Sequence, residues 1–176
     1  VVIEIDTPGG LDSSMREIVQ RIISARVPVI VYVSPQGSRA ASAGLFILLS
    51  GHIAAMAPNT STGAAHPVGL GDQPIDQTMT DKVTNDAVSY IKGLAIRNGH
   101  NADWAETAVR ESVSVTDQEA LQLNIIDLRA DNLQSLLQNI NGRPVNLPGG
   151  QATIQGTAWS IEYVDMDPIE QFLYII

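Results

Sequence analysis

The sequence predicts an α/β domain with a mostly parallel sheet, and three observations carry that expectation. Short apolar runs, Val1 to Asp6, Val27 to Val33 and His52 to Ala57, alternate with segments of helical period, so strand, helix and strand follow one another twice. Strands that recur through a helix run parallel and are joined by right-handed crossovers. Pro-Gly-Gly and Gly-Ser-Ala stretches fall where strands end, as turn chemistry requires. At 176 residues, with 44% hydrophobic and 16% charged residues, the chain is one domain with enough apolar surface for a core.

In chain order, Val1 to Asp6 is a strand and Thr7-Pro8-Gly9-Gly10 a turn. The helix from about Asp12 to Ala25 follows from Met15, Ile18, Val19, Ile22 and Ile23, which fall on one face opposite Arg16, Glu17, Gln20 and Arg21. Val27 to Val33 is the next strand. After it Gly37 to Gly44 turns into a helix that runs to about Gly51, and His52 to Ala57 is a short strand closed by Pro58-Asn59. Ser61 to Thr80, rich in Gly, Pro, Thr and Asp, has no period and reads as a long loop, a length usual for functional or mobile segments. A helix is expected from about Asp81 to Asn98, its apolar face built from Val83, Ala87, Tyr90, Ile91, Leu94 and Ala95. Asn101 caps a helix over Ala102 to Arg110. Thr116 and Glu119 have capping-box spacing and open another, which leads to a strand over Ile125 to Leu128. Leu133, Leu136, Leu137 and Ile140 form a last helix from near Asp131, and Val145 to Ile154 around Pro148-Gly149-Gly150 is a hairpin.

The net charge of −9 argues against nucleic-acid partners and anionic membrane surfaces, since phosphate binding needs clustered Lys and Arg. The absence of cysteine excludes disulfides and thiolate chemistry but leaves the compartment open. Both ends read as cuts. The chain starts inside a strand, and Phe172 to Ile176 turns apolar where it stops, far short of the roughly 20 residues that span a bilayer. Whether a membrane segment follows stays open.

Ser42, within Ala41-Ser42-Ala43-Gly44, lies at a helix N-terminus, where free N–H groups and the dipole suit a nucleophile. Taken alone, a helix cap or small packing residue is the better reading. Gly9-Gly10 offers backbone donors of the kind an oxyanion hole needs, against the plainer reading of a tight turn. In a parallel sheet the two turns meet at one edge, where such folds bind ligands. A serine needs a base. His52 reads as structural and His100 as an exposed turn residue, while His66 in its loop could reach a site. Lys92 is either a surface lysine lying over apolar contacts or, between Val88, Ile91 and Ile96, a base in a dry pocket.

The set Asp6-Thr7-Pro8-Gly9-Gly10, Ala40-Ala41-Ser42-Ala43-Gly44 and Tyr90-Ile91-Lys92-Gly93-Leu94-Ala95 resembles the ClpP-class membrane-bound serine proteases of the NfeD family, partners of stomatin-like proteins. The likeness covers residues 1–130 and includes Ala57-Pro58-Asn59-Thr60 and Gly63-Ala64. It implies a ClpP/crotonase-like fold of repeated ββα units in which residues 1–130 are the protease core and 131–176 a helix and hairpin appendage leading towards a possible membrane segment. It implies Ser42 as nucleophile, Lys92 as general base, and the Gly10 and Ala43 amides as oxyanion hole, with Gly9 and His66 at the substrate. Arg39 beside the turn leaves specificity there open.

The implied substrate is an apolar segment of a membrane-associated, stomatin-like protein. The protease domain would lie on the extracytoplasmic side as a homodimer or larger homo-oligomer. No metal or other cofactor is expected, because Ser-Lys chemistry needs none and the histidines and carboxylates lack ligand spacing. Two rivals stand beside this: a non-catalytic scaffold for a stomatin-like partner, and a crotonase-like acyl-CoA enzyme, which would want a carboxylate base and basic residues for the CoA phosphates.

Overall fold

The computed structural model describes residues 1–68, 76–156 and 160–164. Among them β1 (Val2–Ile5), α1 (Asp12–Ile23), β2 (Ile30–Val33), β3 (Arg39–Ala41), α2 (Ala43–Ser50), β4 (Ile53–Met56) and β5 (Ser61–Gly63) make the first half. The second half is α3 (Gln77–Asn98), α4 (Ala102–Arg110), β6 (Ser114–Thr116), α5 (Asp117–Gln122), β7 (Leu128–Arg129), α6 (Leu133–Ile140), β8 (Pro144–Leu147) and β9 (Gly150–Thr153).

The main sheet has the order β1-β2-β4-β7 and every pair in it is parallel. Successive side chains of a strand point to opposite faces, and β2 uses both. Val31 and Val33 join a core with α1, α2, α3 and α4, including Met15, Val19, Leu45, Leu48, Ile91 and Val109. Ile30 and Tyr32 face a second core with Ile53, Leu136, Leu137, Ile140, Val145 and Ile154. A sheet buried on both faces explains why its strands read as unbroken apolar runs. The expected final helix and hairpin thus cover one face of the sheet, the hairpin as antiparallel β8 and β9.

A second sheet, β3-β5-β6, was not legible. β3 pairs parallel with β5, and β5 antiparallel with β6. The expected loop from Ser61 therefore begins as a strand, and α3 starts at Gln77, earlier than the period suggests; residues 69–75 of that loop lie outside the described residues. The strand expected over Ile125 to Leu128 is shorter. The Ile125 and Ile126 amides turn back to the Ala120 carbonyl, at 2.8 and 3.4 Å, so only Leu128 and Arg129 pair with β4. Ile18 and Val83, expected on buried helical faces, are exposed. Among the described residues no helix is long and apolar enough to cross a membrane, and the apolar end over 172–176 lies outside them.

Aromatic and charged contacts tie α1, α2 and α3 together. The Arg16 guanidinium of α1 lies 4.6 Å from the centroid of the Tyr90 ring on α3 and also pairs with Asp12 and Asp86. Tyr90 in turn stacks on Phe46 of α2 at 6.0 Å.

Candidate active site

Ser42 does not cap α2. Its backbone stands at φ 53° and ψ −117°, outside the regions open to an ordinary L-residue, and its side chain accepts no capping hydrogen bond. Such strain costs about 1–3 kcal/mol and persists only where the surroundings enforce it. Here they do. The Ser42 N–H donates to the Gly63 carbonyl at 2.9 Å, the Ala41 N–H to the Thr7 carbonyl at 3.1 Å, and the Thr7 N–H to the Arg39 carbonyl at 2.7 Å. A strand-to-helix elbow results, with the hydroxyl displayed at the apex instead of spent on the helix.

The glycine turn meets this elbow directly. A Cβ on Gly9, where φ is 135°, would stand 2.9 Å from Ser42 Cβ and 3.2 Å from its Oγ, so no larger residue fits. Gly44, on the first turn of α2, leaves the same kind of gap for Thr7, whose Cγ2 would lie 2.7 Å from an added Cβ. Thr7 is a site residue that sequence reasoning missed: its Oγ1 accepts from the Gly9 N–H at 3.1 Å and donates to the Gly9 carbonyl at 3.0 Å, fixing the turn. With Gly9 so engaged, Gly10 and Ala43 keep amides that donate no hydrogen bond among the described residues, and the space beside Gly10 is open. A Thr two residues before a Gly-Gly pair is the signal that could have pointed to it.

Lys92, on α3, faces α4. Its Nζ donates to Glu106 Oε2 at 2.5 Å and lies 3.7 Å from Asp103 Oδ1. Glu106 Oε1 accepts from Arg110 Nε at 2.7 Å, and Arg110 reaches back to Asn85 Oδ1 at 3.1 Å. The hydrogen bond to Glu106 holds the Lys92 ammonium above its usual pKa, and the bonds from Lys92 and Arg110 hold the Glu106 carboxyl below its own. The lysine's share in the pair is lost only as pH rises through its raised pKa, and the carboxylate's only as pH falls through its lowered one, so the pair is intact at neutral pH. The dry surroundings suggested by sequence are half present: Val88 and Ile91 are buried, but Ile96 is 67% exposed.

The histidines divide differently from expectation. His100 is no exposed turn residue. Gly99, left-handed at φ 75°, ends α3 and folds the next residue inward, so the His100 ring is buried with Nε2 3.3 Å from Asp127 Oδ2. His52 is buried as expected and accepts from the Val29 N–H at 3.2 Å; burial pushes its pKa down. His66 is half-buried and its Nδ1 lies 2.9 Å from the Val109 carbonyl at the end of α4. Among the described residues no group of three or more His, Asp or Glu could hold a metal ion.

A free serine on a strained elbow, set against a glycine turn with unpaired amides in a parallel α/β frame, is the arrangement of the serine hydrolases. The chain belongs to the family described as NfeD1b, N-terminal domain, which matches residues 1–139. It is 40% identical over 167 residues to the membrane-bound protease PH1510 of Pyrococcus horikoshii, spanning 93% of this chain and 38% of that protein. The chain is thus much shorter than this curated relative. A structure of the 1510-N membrane-bound stomatin-specific protease, a lysine-to-alanine variant in complex with a substrate peptide, is 37% identical with a TM-score of 0.90, covering 99% of this chain and 81% of that one. A serine-to-alanine variant of the same protease is 38% identical with a TM-score of 0.86 over 94% of this chain and 82% of that one. The NfeD resemblance carried by the sequence motifs is therefore correct.

Proposed function

We propose that this chain is the catalytic domain of a serine endopeptidase that cleaves apolar segments of a membrane-associated, stomatin-like protein. The observation that carries this is the free Ser42 hydroxyl on its strained elbow beside Gly9. A neutral lysine of α3 takes the Ser42 proton as Oγ bonds to the peptide carbonyl carbon, and the oxyanion accepts from the Gly10 and Ala43 N–H groups. Lys92 is the lysine expected from sequence, but Lys82, 40 residues after Ser42, matches the separation of 41 between the serine and the lysine replaced in the 1510-N variants. The lysine then gives the proton to the leaving amine, and water hydrolyses the acyl-enzyme by the same route. Gly9 and His66 border the substrate in this reading.

The names of the solved stomatin-specific proteases support the stomatin-like substrate. The fold is of the ClpP/crotonase type, with residues 1–130 as protease core and 131–176 as the appendage. The domain acts as a homodimer or larger homo-oligomer on the extracytoplasmic side of a membrane. A scaffold reading has one observation in its favour, since Lys92 is bonded to Glu106 and not to Ser42.

Labelling with a fluorophosphonate separates the two. The expected result is a single adduct on Ser42 that disappears in Ser42→Ala. A folded wild-type chain that takes no label from neutral to alkaline pH would favour the scaffold. Gly9→Ala provides a geometric check, because its Cβ would displace Ser42. A misplacement of about 1 Å costs on the order of 100-fold in rate, so kcat/KM on an apolar peptide should fall by that order, and an unchanged value would show that the Gly9 contact does not set the nucleophile's position.

A further inference from the structure

The glycine turn ends in a large apolar side chain that the fold does not use. Leu11 follows Gly10 directly and is the N-cap of α1, at φ −68° and ψ 137°, with no side-chain capping bond. Leucine is among the poorest residues at that position, where Ser, Thr, Asp or Asn would accept from the first free N–H groups of the helix. Burial does not account for it either. Met15, Val19 and Ile22 carry α1 into the core, whereas Leu11 is 54% exposed. A hydrophobic staple is also ruled out, because the residue before the cap is Gly10.

The position of Leu11 is set by the site. Gly9 stands against Ser42, where an added Cβ would be 2.9 Å from Ser42 Cβ, and two residues of chain place the Leu11 Cα no more than about 7 Å from that of Gly9. Between them is the Gly10 N–H, which donates no hydrogen bond among the described residues, and none of them comes within 4 Å of a Cβ built on Gly10. The stretch is held at both ends. Thr7 Oγ1 bonds the N–H and the carbonyl of Gly9, and the Leu11 carbonyl accepts from the Met15 N–H at 3.0 Å. The neighbouring side chains are charged and engaged: Asp12 pairs with Arg16, and Asp6 Oδ1 accepts from the Arg39 N–H at 3.0 Å.

We propose that Leu11 is a specificity-determining residue, the apolar wall that receives the substrate side chain on the acyl side of the scissile bond. This rests on the reading of the chain as a Ser42 peptidase acting on apolar segments. The oxyanion lies on the Gly10 N–H, so the substrate residue that bears this carbonyl is the one brought nearest to Leu11. A large apolar side chain there covers the exposed leucine and both leave water. A charged side chain would give up hydration to a wall that offers it no partner. The preference for apolar sequence is thus carried by a residue that leaves α1 without a side-chain cap.

The test uses two series of fluorogenic peptides, one varied over Leu, Ala and Glu at the residue that bears the scissile carbonyl, the other varied in the same way at the residue after the bond. Both are measured on the wild type, Leu11→Ser and Leu11→Lys, together with the melting curves. A methylene in an apolar pocket is worth roughly 10- to 200-fold in kcat/KM, and a half-exposed wall belongs at the low end. Leu11→Ser should therefore lower the ratio of kcat/KM for leucine over alanine roughly tenfold in the first series. Because serine also caps α1, the same variant should melt about 2–4 °C higher, a gain in stability with a loss of selectivity. Leu11→Lys should raise glutamate over alanine by roughly tenfold, and it serves if the serine variant does not fold. A folded variant that keeps the wild-type ratios in the first series, or that changes only the second, overturns the proposal. Failure of the underlying reading looks different: the wild type would then take no fluorophosphonate on Ser42 and cleave neither series.

Discussion

Ser42→Ala is expected to abolish peptide cleavage, by roughly 10³- to 10⁶-fold in kcat, while leaving the fold intact. That range corresponds to about 4–8 kcal/mol of transition-state stabilisation. The stability side of the forecast follows from how the residue is held. The elbow is fixed by the Ser42 N–H to the Gly63 carbonyl and by the neighbouring Thr7 and Arg39 bonds, all of them backbone contacts that alanine keeps. The hydroxyl has no partner among the described residues, so its removal orphans nothing. Melting should therefore shift by no more than about 0.5 kcal/mol in free energy. Peptide turnover within tenfold of wild type in the alanine variant would end the nucleophile assignment.

Alanine at the α3 lysine that serves as base should lower kcat by roughly 10²- to 10⁴-fold, the usual contribution of a positioned general base; Lys82→Ala and Lys92→Ala, measured side by side, decide which lysine that is. The loss should extend across the pH range in the variant that lacks the base. Structure should survive, since the Lys92 contacts are partly solvated and Glu106 keeps its bond from Arg110. Circular dichroism and the melting curve check that half; single-turnover kinetics check the other. Turnover retained in Lys92→Ala moves the base to Lys82, and turnover retained in both lysine variants moves it to His66, whose Nδ1 is engaged by the Val109 carbonyl and whose Nε2 would have to serve.

What the sequence could and could not convey divides along physical lines. α1 and α4 were legible because a period of 3.6 survives in Met15, Val19 and Ile22, and because Asn101 caps at the right place, its side chain accepting from the Trp104 N–H. The main strands were legible because both faces of the sheet are buried, which leaves plain apolar runs. β3, β5 and β6 were not, since three-residue strands of Arg, Ala, Ser, Thr, Gly and a lone Val have neither length nor pattern. At the site, residue types and order pointed to Ser42 and Gly9, yet the φ of 53° that frees the hydroxyl comes from contacts with residues far along the chain. The Lys92 partner was equally hidden. Glu106 lies on a different helix, and only the packing of α3 on α4 brings the two within 2.5 Å.

The small sheet has a consequence for how the site comes into being. Gly63, at φ 134°, has no room for a Cβ because the Val113 carbonyl would lie 2.3 Å away, and the same Gly63 carbonyl receives the Ser42 amide. The elbow is thus fastened through β5 to chain that follows the whole of α3 and α4. Contacts this distant in sequence close late, after the loop entropy between them has been lost. A chain emerging from the ribosome can lay down the glycine turn and the serine early, but β5 lacks its partner until residues 113–116 have been made. The strained Ser42 geometry is then held in full only once β6 has paired with β5, and a chain that still lacks residues 113–116 carries its serine without the support that fixes the elbow.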